Sequence, residues 1–154
     1  MTEAPPTIAQ HILVPLDFSP ASDQALEYAI RLAATLRAHL TLLHVLEVSK
    51  LADMRLTPYR AQQDAETHQA LAARLEQVHQ TGVEGDMLRV HGVPYEEIIN
   101  TAKARRTDLI IMATHGRTGL RHMLMGSVAE TVVRLAPCAV LVTRHTDAVP
   151  VPEG

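Results

Sequence analysis

The chain of 154 residues has little cysteine, few aromatic side chains and no surplus of positive charge. Its single cysteine, Cys138, cannot form a disulfide within the chain, so nothing in the sequence indicates an oxidising compartment. Three tyrosines, one phenylalanine and a formal net charge of -3 argue against a nucleic-acid binder. Such proteins need basic surfaces and stacking rings.

Long apolar runs are also missing. No run approaches the ~20 residues that span a bilayer, and the start, MTEAPPTIAQHILV, lacks the basic and apolar regions of a signal peptide. We therefore predict a cytoplasmic protein with no membrane partner and no nucleic-acid partner. The length and the hydrophobic content of 47% predict one globular domain, which we place at residues 8–145, with flexible tails at 1–7 and 146–154.

Short apolar runs alternate with segments of helical periodicity. The runs at 11–17, 40–48, 83–92, 108–114 and 138–144 are typical of strands buried on both faces. Ser19 and Pro20 mark the start of a first helix, and further helices are predicted at about 59–80, 93–106 and 125–136. The alternation predicts an α/β fold: an open five-stranded parallel sheet, Rossmann-like, with helices on both faces.

Polar residues follow the first and the fourth predicted strand. PLDFS ends the first strand and ATHGRTG follows the fourth. Ligands of open parallel sheets bind beyond the carboxyl ends of the strands, where the strand order reverses. If both ends flank that point, Asp17 faces the ATHGRTG loop across one crevice.

The segment after the fourth strand has the composition of an anion site. Gly116 and Gly126 allow close approach of backbone N–H groups, and Gly126-Ser127 opens a helix whose N-terminus favours a phosphate. Positive or donor side chains accompany them, namely His115, Arg117, Arg121 and His122, and no acid occurs between Asp108 and Glu130. The alternative is a surface connection whose glycines only turn the chain.

These residues also carry a family resemblance. HILVPLDFSPASDQAL, LTLLHVLEV and DLIIMATHGRTGLRHMLMGSVAETVVRLAPCAVLVTR together resemble the universal stress protein family, from residue 11 to about 144. The family's nucleotide signature is Gly, two residues, Gly, nine residues, then Gly-Ser or Gly-Thr. It falls here on Ala113, Gly116 and Gly126-Ser127, with alanine in place of the first glycine. We expect the methyl group of Ala113 at worst to lower the affinity for the nucleotide.

The resemblance implies the strand order 3-2-1-4-5 and a site for ATP, ADP or AMP. Asp17 would accept a hydrogen bond from a ribose hydroxyl, and the backbone of Val45 would meet the adenine edge. The remaining implied site residues are Pro15, Leu16 and Met112 around the base, and Ala113, His115, Gly116, Arg117, Gly126, Ser127 and Val128 towards the phosphates. Magnesium or manganese would be held mainly by phosphate oxygens, with Ser127 as the one side chain considered as a ligand.

Several of these residues have a structural alternative. Asp17 could cap the first helix or the turn before it, and Ser127 could be an ordinary N-cap. Val45 belongs to the core in either case. His115 could bond a carbonyl of its own loop.

The resemblance favours an ATP-binding regulatory or sensing module with slow or no hydrolysis, because the loop has no acid to hold a metal or orient a water. It also implies a homodimer through the last strand, Ala139 to Thr143, which would otherwise be an unpaired edge. Two alternatives stay open. One is a slow ATP hydrolase or nucleotidyl transferase on the same fold, and the other is a nucleotide-free dimeric scaffold.

Overall fold

The computed structural model describes residues 8–47, 57–115 and 125–144, in which strands and helices alternate without exception. The elements are β1 (His11–Pro15), α1 (Pro20–Leu36), β2 (His39–Glu47), α2 (Thr57–Gln80), β3 (Gly85–Gly92), α3 (Pro94–Ala104), β4 (Leu109–Ala113), α4 (Ser127–Leu135) and β5 (Ala139–Thr143). The predicted α/β class is confirmed. The tails predicted at 1–7 and 146–154 lie outside the described residues.

The sheet has the order β3-β2-β1-β4-β5, and all its pairs are parallel. The implied order is therefore confirmed. β1 is the central strand and pairs with β2 on one side and with β4 on the other. Because the order reverses between β1 and β4, a crevice is expected where these two strands end.

Both faces of the sheet are buried. Ile12, Val14 and Ile111 pack beneath α1 and α2, whereas Leu13 and Ile110 pack beneath α3 and α4. Successive side chains of a strand point to opposite faces. A strand covered on both faces must therefore be apolar throughout, which explains the continuous apolar runs in the sequence.

Several boundaries differ from the predicted ones. β1 ends at Pro15 rather than at residue 17, because the chain turns at Phe18 (φ 64) into α1. β3 begins at Gly85 instead of residue 83, after a turn with Gly82 at φ 81. α3 ends at Ala104, since Arg106 has φ 50 and cannot continue the helix. The predicted cap of α1 is confirmed, because the Ser22 N–H donates to Ser19 Oγ at 3.1 Å.

Within the parts of the chain that the structure describes, no helix is both long enough and apolar enough to cross a membrane.

A carboxylate ties three elements together at the amino edge of the sheet. Asp86 in β3 accepts hydrogen bonds from Thr41 Oγ1 and Arg105 Nη1, each at 2.7 Å, and its Oδ1 lies 3.1 Å from His39 Nε2. Burial raises the pKa of Asp86. The hydrogen bonds with Thr41, His39 and Arg105 and the charge of Arg105 lower it, and the net pKa is below the ordinary value.

Asp86→Asn should lower the free energy of unfolding at pH 7 and have a smaller effect in acid. A depressed pKa in the folded state means that the carboxylate stabilises the fold above its unfolded pKa of 3.8. That contribution is lost as the pH falls through the folded pKa. Urea denaturation of both proteins at pH 7 and at pH 3 measures the difference. A gap of equal size at both pH values would contradict the assignment.

Candidate functional site

The chain just beyond β1 is still attached to β2. The Leu16 N–H donates to the carbonyl of Leu43 at 2.8 Å, and the Leu16 carbonyl lies 2.7 Å from His44 Nδ1. A carbonyl can only accept, so the hydrogen of His44 is on Nδ1. The side chain of Leu16 is buried in the cluster beneath α1 and α2. Leu16 is therefore fixed to β2 just beyond the carboxyl end of β1, with its side chain in the core.

Asp17 closes the turn that leads into α1. Its Oδ1 accepts a hydrogen bond from the Ser19 N–H at 3.0 Å, and the residue is half-buried. The structural alternative for Asp17 therefore holds in part. A carboxylate has about four lone-pair positions, so this bond does not prevent it from accepting a further one at the carboxyl edge of the sheet.

The end of β4 is held on two sides through the backbone of Thr114. Its N–H donates to the carbonyl of Thr143 at 3.0 Å, at the end of β5. Its carbonyl accepts from the Gly126 N–H at 2.7 Å. The two ends of the connection between β4 and α4 therefore meet at the carboxyl end of β4, and this bond places the start of α4 there.

Gly126 is the N-cap of α4, with φ -68 and ψ 159. A Cβ added at this position would lie 3.0 Å from the Thr114 carbonyl oxygen and 3.7 Å from His115 Cα. The glycine is therefore favoured by this close approach and not by a left-handed backbone. The alternative that Ser127 is the N-cap is wrong, because Ser127 is the first helical residue and is exposed.

The amide of Gly126 is used within the fold, so the groups that α4 can offer begin one residue later. The first intrahelical bond runs from the Glu130 N–H to the Gly126 carbonyl at 2.9 Å. The amides of Ser127, Val128 and Ala129 precede it and have no partner inside the helix. Gly126 has no side chain to cap them.

The three helices whose N-caps are defined differ in what their first turns offer an anion. α1 is capped by Ser19. α3 has no side-chain cap, but Pro94 lacks an N–H and Glu96 and Glu97 add negative charge. The first amides of α4 have no partner inside their helix and no side-chain cap from Gly126, the positive end of the helix dipole lies behind them, and the only acid in this first turn is the exposed Glu130.

The predicted base-pocket residues lie towards the carboxyl ends of their strands. Pro15 is the last residue of β1 and Met112 is the last but one of β4, and each comes two residues after the last pair of the β1–β4 register, Leu13 with Ile110. Pro15 is also opposite Leu43, which precedes Val45 by two residues on β2. Met112 belongs to the cluster beneath α3 and α4, and Val45 packs against it. The structure thus brings these three residues to the same edge.

The remaining predicted residues fall into two groups. His115 is half-buried, and its Cδ2 atom would lie 4.0 Å from a Cβ at Gly126, so its ring is beside the start of α4. Ala113 is half-buried and pairs with Thr143. Gly116 and Arg117, with Arg121 and His122, lie outside the described residues.

Sequence reasoning missed two residues that shape the crevice. Thr114 acts through its backbone, which leaves no trace in the residue type. His44 had a visible signal, since a histidine inside the apolar run LTLLHVLEV needs a partner. That partner is the Leu16 carbonyl.

The described residues contain no group of three or more His, Cys, Asp or Glu side chains that could hold a metal ion. Donor amides at the start of α4 lie on one side of the reversal point, an acceptor carboxylate lies on the other, and apolar side chains lie along the sheet edge. This arrangement suits a ligand with an anionic part, a hydroxyl group and an apolar ring.

Comparison with known proteins identifies the family and agrees with the fold. The universal stress protein family model matches residues 9–144. A universal stress protein of Methanocaldococcus jannaschii is 33% identical over 140 residues, which cover 86% of this chain and 81% of that protein. The solved structure of UspA from Lactobacillus plantarum is 29% identical, with a TM-score of 0.80 over 88% of this chain and 97% of that one.

More distant solved structures share the fold. A universal stress protein family protein of Arabidopsis thaliana, described with AMP bound, is 20% identical with a TM-score of 0.68, covering 90% of this chain and 93% of that one. A universal stress protein in complex with cAMP is 22% identical with a TM-score of 0.71, covering 90% and 99%. These nucleotides are ligands of those proteins.

Proposed function

The chain belongs to the universal stress protein family, and on this basis we propose that the crevice between β1 and β4 binds an adenine nucleotide. ATP is the proposed ligand, with ADP and AMP as its smaller relatives. The protein would act as a regulatory or sensing module in which the nucleotide is a ligand and hydrolysis is slow or absent. Relatives of the same fold described with AMP and cAMP support the ligand class.

One observation carries the proposal: the uncapped start of α4 is fixed at the end of β4, where the strand order reverses. The Thr114–Gly126 hydrogen bond of 2.7 Å sets its position. Backbone amides at a helix N-terminus bind phosphate without any charged side chain. Asp17, at the end of the neighbouring strand, is on the side where a nucleoside would extend from those phosphates.

The proposed roles follow the position of each residue. Asp17 accepts from a ribose hydroxyl, and the backbone of Val45 reads the adenine edge. Pro15 and Met112 flank the base, and Leu16 forms the floor of the base pocket. The amides of Ser127 and Val128 donate to phosphate oxygens beside His115. Ala113 leaves room at the end of β4, and Gly126 fixes the start of α4 there. Gly116 and Arg117 belong to the same proposal on the strength of the signature alone.

The charge distribution favours binding over chemistry. No acid occurs from Leu109 to Ala129, and phosphoryl transfer needs a held metal ion and an oriented water. A bound magnesium or manganese ion would therefore be coordinated mainly by phosphate oxygens and water, with at most Ser127 added. Asp17 is assigned to the ribose, at the other end of the nucleotide.

We also propose a homodimer formed through β5, Ala139–Thr143, the last strand on its side of the sheet. An open edge strand invites pairing with another chain. The Thr143 carbonyl bonds to β4. Because N–H and C=O groups of alternate residues point to opposite sides of a strand, the backbone groups of Val140 and Val142 point to the open edge.

Ser127→Asp should abolish most ATP binding while leaving the fold intact. A carboxylate in the first turn of a helix interacts favourably with the helix dipole, but here it would repel a phosphate. We expect an affinity loss of about tenfold or more with an unchanged or higher melting temperature. Isothermal calorimetry and thermal denaturation measure the two effects.

Ser127→Asn is the matched control, because it is similar in size to the aspartate and neutral, and it should bind ATP more tightly than Ser127→Asp. Wild-type protein that gives no heat with ATP and magnesium, and releases no nucleotide when denatured, would contradict the proposal and favour the nucleotide-free scaffold.

Hydrolysis should be slow or absent in single-turnover assays with labelled ATP. The crevice offers donors for the phosphates, but no acid occurs from Leu109 to Ala129 to hold a metal or orient a water at that end, and Asp17 is assigned to the ribose. Turnover of ~1 per second or faster, the low end of ordinary enzymes, that disappears in His115→Ala would identify an ATP hydrolase instead.

Val142→Pro should weaken dimerisation without breaking the pairing of β5 with β4. Proline removes an N–H that is directed to the open edge, and it is tolerated on edge strands. Sedimentation velocity across micromolar concentrations measures the change. Val142→Ala, which keeps the N–H, is the control. A wild-type protein that is monomeric throughout this range would contradict the dimer.

A further inference from the structure

Phe18 has an unusual backbone conformation directly after Asp17. Its φ of 64 is in the left-handed region, although it is a bulky aromatic residue. Such residues rarely adopt this conformation, and they keep it only where the surrounding structure holds them. This conformation directs the chain from β1 into α1. The Phe18 side chain is half-buried.

Two elements hold the ring of Phe18. The ring of His44, from β2, is tilted by 33° against it with centroids 4.4 Å apart. The guanidinium carbon of Arg74, from α2, lies 4.7 Å from the centre of the same ring. A cation at this distance from an aromatic ring is attracted by its electrons. We refer to Phe18, His44 and Arg74 as the Phe18 stack.

Arg74 is itself fixed by a forked ion pair. Its Nε donates to Asp23 Oδ1 at 2.6 Å and its Nη2 donates to Asp23 Oδ2 at 3.0 Å, while Nη1 donates to the Ala70 carbonyl at 3.0 Å. The Arg74 side chain is only 20% exposed. Arginine held in this bidentate way has a defined plane and position, so α1 and α2 together hold the guanidinium at Phe18.

The residues on both sides of Asp17 are therefore fixed. Leu16 is bonded to β2 through both its N–H and its carbonyl, the latter by His44. Phe18 is held by the stack, and the Ser19 N–H holds one carboxylate oxygen. His44 takes part on both sides, because its ring contacts Phe18 and its Nδ1 bonds to Leu16.

We propose that the Phe18 stack positions the Asp17 carboxylate for a ribose hydroxyl, so that Phe18 and Arg74 set the preference for ribonucleotides over deoxyribonucleotides. This rests on the proposed nucleotide site. Neither residue needs to touch the ligand. Both act through the backbone on either side of Asp17. Through Arg74, α2 also contributes to the crevice, although α2 is outside the glycine signature.

The dissociation constants of 2′-deoxy-ATP and of 3′-deoxy-ATP are each divided by the dissociation constant of ATP. We call this quotient the deoxy ratio. In the wild type, the analogue that lacks the hydroxyl bound by Asp17 should bind about tenfold more weakly than ATP, since hydrogen bonds to charged groups are among the stronger ones. In Arg74→Met, which keeps the apolar stem of the side chain, this ratio should fall towards one. A purely structural role would weaken both ligands equally and leave the ratio unchanged.

Phe18 gives a second, independent variant. Glycine adopts a positive φ readily, so Phe18→Gly keeps the turn but removes the ring, and its deoxy ratio should also fall towards one. Phe18→Tyr keeps a ring of the same shape and should retain the wild-type ratio. Thermal denaturation of each variant verifies that it is folded before binding is measured.

Arg105→Met is the matched control. Arg105 is also paired with an aspartate, donating to Asp86 at 2.7 Å, but it is at the opposite edge of the sheet. It should keep the wild-type ratio. In an Asp17→Asn background, where the ratio is already lost, adding Arg74→Met should change it no further, because both changes act on the same hydrogen bond.

The outcomes separate this inference from the proposed function. If the wild type discriminates against a deoxy analogue and both folded variants, Arg74→Met and Phe18→Gly, keep that discrimination, the positioning role is wrong while the nucleotide site stands. An equal loss in Arg105→Met would also overturn it. If the wild type binds neither ATP nor its analogues, the proposed function itself fails.

Discussion

β1 is hydrogen-bonded to β2 along one edge and to β4 along the other, and Ile12, Leu13 and Val14 are buried at 1%, 0% and 0% exposure. The chain goes from β1 outward to β3 in one direction and must then return past β1 to form β4. Since parallel crossovers are right-handed, the two directions put α1 and α2 on one face and α3 and α4 on the other. The burial of both faces of the sheet and the reversal of the strand order between β1 and β4 therefore have the same cause.

Backbone groups contribute most of what the described part of the crevice offers an anion. The Thr114 carbonyl and the Gly126 amide determine where α4 begins, and the helix then presents its own first amides. On the opposite side of the crevice the polar group is a side chain, the Asp17 carboxylate, which is held by its neighbours in sequence. An anion bound in this way needs no lysine or arginine, which is consistent with a chain whose formal net charge is -3.

The sequence pattern was sufficient for the α/β class because strands buried on both faces are apolar along their whole length, and the helices between them have a clear period. The strand order was predicted from the family resemblance and not from the pattern. It was less informative where the chain turns. Nothing in the residue type of Phe18 indicates a left-handed conformation, since glycine and asparagine are the usual residues there.

Contacts distant in sequence were not predictable from a local pattern either. Arg74 and Asp23 are 51 residues apart, and only the packing of α2 against α1 brings them together. Gly126 was interpreted as room for a ligand. The structure shows that a side chain there would first meet the carbonyl of Thr114 in the chain's own backbone.

α1 and α4 differ in the residue at the N-cap and in whether its side chain bonds the first amides. Serine at the N-cap of α1 bonds the Ser22 amide with its own hydroxyl, so that end is satisfied within the protein. Glycine at the N-cap of α4 can pack against β4 but cannot bond the next amides. The glycine that permits this close approach thus provides no side-chain cap for the amides at the point where the strand order reverses. A serine or aspartate at position 126 would be the better cap for an isolated helix, but its side chain would meet the Thr114 carbonyl and compete with a phosphate for the same amides.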